Sequence, residues 1–360
     1  MRTKRFIIVV ASLLALASCG EPAPEAEGLY GGLCVTLGLP DTATKASTDY
    51  DSAAEYAVRE ALVFLFDATG ALYRPPVTLS GADGTATFER VRVATYTVAA
   101  VVNPPVTAAD ALAAVRERGD LDRIPVDLGD NDPTSAFVMY GSPAVAVQVN
   151  AAGEATPVSV TVRRLVSRVR LVSIKCGIAP AFGALDVEHV FLENGHSSWN
   201  LTASLSASDY YNYAGRAKGM NDRPAGPFCD ESTVEYPGLV SAYGNPLAEI
   251  PYGTVWTNGG RPLRFYTFEN DLAAGEADHF DGATDGPVYT RLVVRTSFGG
   301  RSYWYPVTIG PVLRNRSYDV TLEITGPGSD DPNKEPKTGT LTVDVTVYGW
   351  EPGRDISGQF

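Results

Sequence analysis

The residue with the most distinctive chemistry near the start of the sequence is Cys19. It follows an apolar segment, Phe6 to Ala17, that is interrupted only by Ser12 and preceded by three basic residues. So short a segment cannot span a bilayer, which takes roughly 20 apolar residues. Small residues before a cysteine, as in Leu16-Ala17-Ser18-Cys19, are what a lipoprotein signal peptidase accepts. We therefore predict a lipoprotein signal peptide with lipobox over residues 1–19 and acylation of the Cys19 thiol.

Side chains able to catalyse reactions are sparse. Hydrolysis by a nucleophilic triad needs a base with an orienting acid, and the three histidines are His189, His196 and His279. None lies in a recognisable nucleophile motif, and the sequence has no GxSxG. The spacing of His189 and His196 gives little support for a metal site. We predict no catalytic residue, no metal site and no cofactor, and a protein that is not an enzyme.

Besides Cys19, the sequence has three cysteines, Cys34, Cys176 and Cys229, and no CxxC pair. A scattered, odd set of cysteines does not make a disulfide framework. A Cys176–Cys229 bridge is one option in an oxidising compartment, and buried free thiols are the other. The sequence does not choose between them.

The charge of the chain excludes one class of partner. The formal net charge is -13 and the isoelectric point is about 4.7. Binding to nucleic acid depends on clustered Lys and Arg, which such a composition does not provide. We therefore expect no nucleic-acid partner.

The elements that follow the lipobox begin with an acidic, Pro/Ala-rich tether over residues 20–27. Apolar residues then fall at every second position, which is typical of a strand with one buried face: Leu33, Val35, Leu37 and Leu39. A polar loop from Pro40 to Tyr50 comes next. It contains Lys45, the only basic residue between Arg5 and Arg59.

Most of the remaining chain has the pattern of short strands, and we predict helices only over Ser52 to Glu60 and Ala108 to Arg118. Many short strands with few helices are typical of β-sandwiches. Because a core rarely grows beyond about 250–300 residues, two domains are expected. The arginine-rich stretch Val162 to Leu171 is interpreted as strands that pass between the domains with solvent-facing arginines; a basic binding patch is the alternative.

The C-terminal third carries the clearest family signature. Leu313-Arg314-Asn315-Arg316-Ser317-Tyr318-Asp319-Val320 is followed by Leu322-Glu323-Ile324-Thr325-Gly326-Pro327-Gly328-Ser329 and an acidic, Pro/Asn-containing linker. With Phe265 to Asn270, the lipobox and the Arg163-Arg164-Leu165-Val166 junction, this pattern resembles the fimbrillins. These are the major subunit precursors of the type V pili of Bacteroidota.

The resemblance implies an all-β fold of two transthyretin-like β-sandwich domains, over residues 46–164 and 165–338, with one or two short helices. It also implies export as a lipoprotein to the outer membrane. A trypsin-like protease then cuts in the loop after the first strand, removing residues 28–45 as a propeptide. In this sequence the cut falls between Lys45 and Ala46. Lys45 departs from the pattern, because the best-known members are cut after arginine.

In such a family the first strand is displaced and a C-terminal strand from another subunit fills the groove. Residues 339–360 are the expected donor segment, and its apolar face is formed by Leu341, Val343, Val345, Val347 and Trp350. An ordinary terminal strand that pairs within its own domain is the alternative. Expected partners are other copies of the chain, accessory and anchor subunits, the protease, and host or bacterial surface ligands.

The function expected from the resemblance is that of a shaft subunit in an extracellular, adhesive fimbria. Two other functions stay open: an accessory, tip or anchor subunit, and a glycan-binding surface lipoprotein that does not polymerise. The second would use tyrosine clusters at Tyr210 to Tyr213 and Tyr303 to Tyr305 as a sugar platform.

Cys19→Ala should leave an uncleaved, unlipidated precursor, because the acyl chain attaches to the cysteine thiol. Each buried methylene of an acyl chain contributes about 0.8 kcal/mol to membrane binding, so the variant should also leave the membrane fraction. Metabolic labelling with palmitate measures the modification. Equal labelling of the variant and the native chain would refute the lipobox.

Overall fold

The computed structural model describes residues 29–38, 55, 57–81, 84–131, 136–143, 146–150, 154–193, 195–196, 198–202, 248–260, 262–270, 289–330 and 334–349. Strands dominate these ranges. The helices found there are short, and none has the length and apolarity that a membrane-spanning segment requires.

The first half of the chain forms two facing sheets. One has the strand order β4-β1-β9 and the other β10-β7-β5-β2-β3, with β8 also pairing with β5. The strands are β1 (Tyr30–Gly38), β2 (Glu60–Phe66), β3 (Leu72–Ser80), β4 (Thr85–Arg92), β5 (Thr95–Val102), β6 (Pro125–Asp127), β7 (Met139–Gly141), β8 (Val147–Gln148), β9 (Thr156–Thr161) and β10 (Arg163–Arg164).

Strand β2 is buried on both faces. Val63 and Leu65 point into the core between the two sheets. Phe64 and Phe66 point to the other side, into a core that continues into the second half. A strand covered on both faces needs apolar residues at every position, which explains the continuous run Ala61 to Phe66.

Two short helices cover this outer face. They are α1 (Ala109–Ala113) and α2 (Arg118–Leu121), and their buried Leu112 and Leu121 pack in the same core as Phe64 and Phe66. The continuous helix predicted over Ala108 to Arg118 is therefore shorter than expected and ends before α2 begins. Of the helix predicted over Ser52 to Glu60, Glu55 has 3-10 helical conformation, whereas the prediction is wrong for residues 57–60, because residues 57–59 are irregular and Glu60 starts β2.

Strand β3 was missed in the sequence because it contains Pro75 and Pro76. It lies at the edge of its sheet and, among the described strands, pairs with β2 alone. Proline lacks the N–H that a central strand needs but is tolerated at an edge. The register with β2 is irregular here, passing from Val63–Val77 to Leu65–Arg74.

The second half forms another pair of sheets. One has the order β15-β11-β19-β20, with β16 also pairing with β11, and the other β14-β12-β17-β18. A further two-stranded sheet, β13-β6, joins the halves. The strands are β11 (Val166–Cys176), β12 (Leu185–Glu193), β13 (Ser198–Asn200), β14 (Ala248–Ile250), β15 (Val255–Trp256), β16 (Leu263–Phe268), β17 (Arg291–Phe298), β18 (Arg301–Thr308), β19 (Arg316–Ile324) and β20 (Leu341–Gly349).

The predicted all-β fold of sandwiches with short helices is confirmed. Gly299-Gly300 forms the turn that joins β17 to β18, and both glycines have positive φ angles, 58° and 76°. Left-handed conformations at both central residues match the twist of a tight hairpin.

The interpretation of the junction arginines as solvent-facing is wrong for Arg164 and Arg168, and Arg170 is also mostly buried, with its Nε 2.6 Å from Asp319 Oδ1. Arg163 is exposed, but Arg164 and Arg168 are buried where β9, β10 and β11 follow one another between the halves. A buried guanidinium must find partners for its charge and its donors. Those partners come from elements distant in the sequence.

Candidate functional site

The candidate site is the first strand and the groove that it occupies. Strand β1 lies between β4 and β9, antiparallel to β4 and parallel to β9. Its backbone therefore completes two hydrogen-bonded ladders. Removing a central strand leaves both neighbours with unpaired N–H and C=O groups facing one gap, about 9.6 Å wide at two strand spacings.

The alternation predicted for this strand is confirmed in its described part. Leu33 and Val35 are fully buried between the sheets, and Leu37 is half-buried against the same core. Thr36 on the opposite face is exposed, as the two-residue period requires. Burial of each large apolar side chain contributes about 1.5–3 kcal/mol, so the strand is a substantial part of this core.

Apart from the first strand itself, the residues that line the groove are apolar. Strand β4 provides Ala86 and Phe88, and strand β9 provides Val158 and Val160. The floor is formed by side chains of the facing sheet, including Val98. An empty groove would thus expose both an apolar trough and two strand edges.

A buried carboxylate, Glu55, holds the chain just before β2 against the second half of the molecule. Its Oε2 accepts a hydrogen bond from Arg168 Nη1 at 2.5 Å, and its Oε1 accepts from Tyr266 Oη at 2.9 Å and Arg264 Nη1 at 3.3 Å. Its backbone oxygen accepts from Arg164 Nε at 2.7 Å. Burial raises the pKa of Tyr266 above its usual value, which keeps that hydroxyl a donor.

Sequence reasoning missed Glu55 because nothing local marks it. It lies among helix formers in Ser52 to Glu60, and its partners are more than 100 residues away along the chain. The arginine-rich junction was the one usable signal, since buried arginines would have required a carboxylate from elsewhere.

The predicted donor strand is paired within its own chain. Strand β20 is antiparallel to β19 along its full length, from Ile324–Leu341 to Arg316–Gly349, and forms the edge of its sheet. Leu341, Val345 and Val347 are half-buried against the core, whereas Val343 is 38% exposed. This is the alternative arrangement given above, and it contrasts with β1, which has two strand neighbours and fully buried residues.

Several predicted residues lie outside the described ranges: Cys19, Leu39, Lys45, Ala46, Cys229 and Trp350. Within those ranges, Cys34 is half-buried in β1 and Cys176 is buried at the end of β11. No group of three or more potential metal ligands is brought together there. The described polypeptide on either side of the predicted cut ends at Gly38 and resumes at Glu55.

The sequence comparison links the chain to fimbrial subunits. A stretch of 102 residues, 28% of the chain, is 32% identical to the major fimbrium subunit FimA type-4 of Porphyromonas gingivalis. That stretch covers 25% of the relative, so the chain matches about a quarter of that relative's length. No family model matches the chain.

Solved structures show the fold over nearly the whole chain. A fimbrilin (FimA) from Porphyromonas gingivalis W83 has a TM-score of 0.59 at 12% identity, covering 90% of this chain and 98% of its own. The tip fimbrial protein Mfa3 from Porphyromonas gingivalis, truncated at its C-terminus, has a TM-score of 0.51 at 14% identity, covering 89% and 99%. The fold is that of bacterial fimbrial subunits.

The resemblance to the Bacteroidota fimbrillins, predicted from the sequence, is confirmed by these similarities. The matched relative and both of these solved structures are named as fimbrial proteins. Because both a fimbrilin and a tip protein share the fold, the fold alone does not distinguish a shaft from a tip subunit.

Glu55→Gln should lower the free energy of unfolding by about 3–5 kcal/mol, because it leaves the buried Arg168 guanidinium without its counter-charge. Glu60→Gln is the matched control, since Glu60 is exposed at the start of β2. Urea denaturation of the two variants measures the difference. Equal midpoints would contradict a stabilising role for the Glu55 cluster.

Proposed function

We propose that the chain is the shaft subunit of a surface fimbria, made as an outer-membrane lipoprotein precursor and polymerised by strand exchange. The observation that carries the proposal is the position of β1, a central strand whose Leu33 and Val35 are fully buried. The covalent connection from β1 to β2 and the body that follows runs through residues 39–54. A cut after Lys45 leaves this strand held by non-covalent contacts alone.

The C-terminal segment has the pattern needed to replace the first strand. Leu341, Val343, Val345 and Val347 repeat the two-residue period of Leu33, Val35 and Leu37, so either strand fits one apolar trough. Strand addition also satisfies the exposed backbone groups of β4 and β9. β20 is a partly buried edge strand, so the free energy lost when it leaves its sheet is smaller than the free energy gained in a groove with a strand neighbour on each side.

The Glu55 cluster separates the strand that leaves from the body that stays. Cleavage between Lys45 and Ala46 falls on the β1 side of Glu55, whose carboxylate accepts hydrogen bonds from Arg168, Arg264 and Tyr266 of the second half. The mature body would therefore keep Glu55, and with it the contact at the junction. Loss of the first strand need not loosen the contact between the two halves.

The shaft role is favoured over the tip and anchor roles by the C-terminal segment. A donor strand is useful to a subunit that hands it on to a neighbour, whereas an anchor would keep its lipid and need no cut. The proposed partners are therefore other copies, accessory and anchor subunits, and a trypsin-like protease. The assembled fibre lies outside the cell and serves adhesion to host or bacterial surfaces.

Lys45→Ala should block processing and fibre formation while the precursor still folds, because a trypsin-like protease needs a basic residue before the cut. Lys45→Arg should be processed normally. Lys337→Ala, which removes an exposed lysine from the C-terminal linker, is the matched control. N-terminal sequencing of surface fibres measures the outcome, and normal fibres of Lys45→Ala that begin at Ala46 would contradict the assignment.

Thr87→Cys should test whether β1 must leave. Thr87 lies directly opposite Cys34 in the ladder between β1 and β4. Opposed residues in antiparallel strands have Cα atoms about 4.5–5.5 Å apart, within the about 4.4–6.8 Å that a disulfide bridges. The oxidised variant should be cut yet retain its first strand and form no fibres, and a reductant should restore assembly.

Two controls isolate the bridge in this experiment. Thr87→Ser removes the new thiol, and Thr87→Cys combined with Cys34→Ser removes its partner, so both should assemble under oxidising conditions. Non-reducing electrophoresis of the cut protein reports the bridge. Fibres built from subunits that carry the intact bridge would refute strand exchange in this groove.

A further inference from the structure

We propose that the incoming strand enters the groove parallel to the departed β1, with Gly339 in the position of Gly31. This inference rests on the proposed strand exchange and specifies its orientation and register. It follows from a constriction in the groove and from the point at which the C-terminal linker is attached.

The groove is too narrow for a side chain at Gly31. A Cβ atom added there would lie 2.0 Å from the backbone oxygen of Asn150 and 3.0 Å from Val149 Cγ1. Non-bonded carbon and oxygen atoms cannot approach so closely. The obstacle includes main-chain atoms, so a rotamer change does not remove it.

This constriction is part of the groove wall and is held without help from β1. Val149 is fully buried, and its N–H donates to Ala94 O at 2.9 Å. The N–H of Asn150 lies 3.5 Å from Thr156 Oγ1, at the start of β9. The requirement for glycine therefore remains after the first strand has left.

In the parallel orientation one register meets the requirement. With Gly339 at the position of Gly31, Leu341 replaces Leu33 and Val343 replaces Val35. A shift by two residues keeps the alternation but puts either Leu341 or Lys337 at the constriction. Both carry a Cβ and are excluded.

Thr340 takes the position of Gly32 in this register, on the other face of the strand. An added Cβ there lies 2.9 Å from the Ala155 methyl group and 3.3 Å from its Cα. The register thus requires the main chain at Ala155 to move, because the Ala155 methyl group has no rotamer to change; this movement lies on the face opposite the apolar trough.

The reverse orientation also has one register that places a glycine, Gly349, at the position of Gly31. The length of the C-terminal linker disfavours this register. Ser329 is bridged to Trp304 of β18 by two backbone hydrogen bonds, 2.8 and 2.9 Å long. From Ser329 to Gly339 a fully extended chain spans about 35 Å. This is the reach available to a donor strand whose linker keeps that bridge.

The two orientations require different lengths of linker. Gly31 lies at the mouth away from the junction, because β1 is parallel to β9 and β9 runs towards β11. Entry at that mouth brings Gly339 to its position directly. The Gly38 mouth faces the junction with the chain's own second half, so the donor subunit is placed at the Gly31 mouth. A reverse strand from a donor seated there requires its linker to pass first along the groove from Gly31 to Gly38, about 23 Å at 3.3 Å per residue. Most of its length would then be spent beside the groove.

Disulfide trapping distinguishes the two orientations. In the parallel register Thr342 replaces Cys34 opposite Thr87, whereas in the reverse register Thr346 does so. Two chains are compared, each with Cys34→Ser and Thr87→Cys, one carrying Thr342→Cys and the other Thr346→Cys. The first should give a ladder of covalent multimers from oxidised fibres, and the second should give at least tenfold less.

The outcomes separate failure of the register from failure of strand exchange. A ladder from the Thr346→Cys chain alone overturns the parallel register but upholds exchange into this groove. Fibres that form from both chains with no ladder from either overturn the exchange itself, and with it the register. When β20 is paired with β19 of its own chain, residues 342 and 346 lie opposite Glu323 and Asp319. A cysteine at either position therefore forms no disulfide with Thr87→Cys in that arrangement.

Alanine substitution tests the constriction directly. Gly339→Ala should reduce fibre yield at least tenfold, and the matched Gly349→Ala should leave it unchanged. Gly339 has a φ of 85° before β20 in its home position, so alanine there weakens the home position and by itself favours release. A lower yield therefore reports the groove. Normal yield from Gly339→Ala, or loss only with Gly349→Ala, would overturn the proposal.

Discussion

The structure of the first half depends on one strand that occupies a gap between two others. Strand β1 completes the ladders of both β4 and β9, and its Leu33 and Val35 fill the space between the sheets. Neither ladder nor core is complete without it. Such a gap accepts an extended segment that has apolar side chains at alternate positions and a glycine at the Gly31 constriction, because backbone hydrogen bonds themselves carry no sequence information.

The junction between the halves is stabilised by buried charged groups as well as by apolar packing. Phe64 and Phe66 share a continuous core with the second half. The buried Arg168 is paired there with the Glu55 carboxylate, and Arg164 donates hydrogen bonds to neutral oxygens of Glu55 and Asn315. Charged groups buried together demand a fixed geometry, whereas an apolar trough does not. The molecule thus combines a replaceable strand with a junction that tolerates little change.

Local patterns predicted much of the fold, because alternation or continuous apolar runs mark β1, β2, β5, β19 and β20. The groove residues Leu33, Val35 and Leu37 were identified for the same reason. Strand β3 escaped because proline masks an edge strand, and the junction arginines were assigned to solvent because their buried partner, Glu55, is distant in sequence. The constriction at Gly31 is likewise set by Asn150, which no local pattern reveals.

The lengthwise course of β1 between its neighbours has a mechanical consequence. A segment in this slot is hydrogen-bonded on both sides along its length, with bonds running across the strand direction. Tension applied along the strand axis loads these bonds simultaneously instead of opening them one after another from an end. Peeling the strand sideways is obstructed by the buried side chains of Leu33 and Val35. Tensile strength in a chain of such molecules would therefore grow with the number of paired residues in each slot.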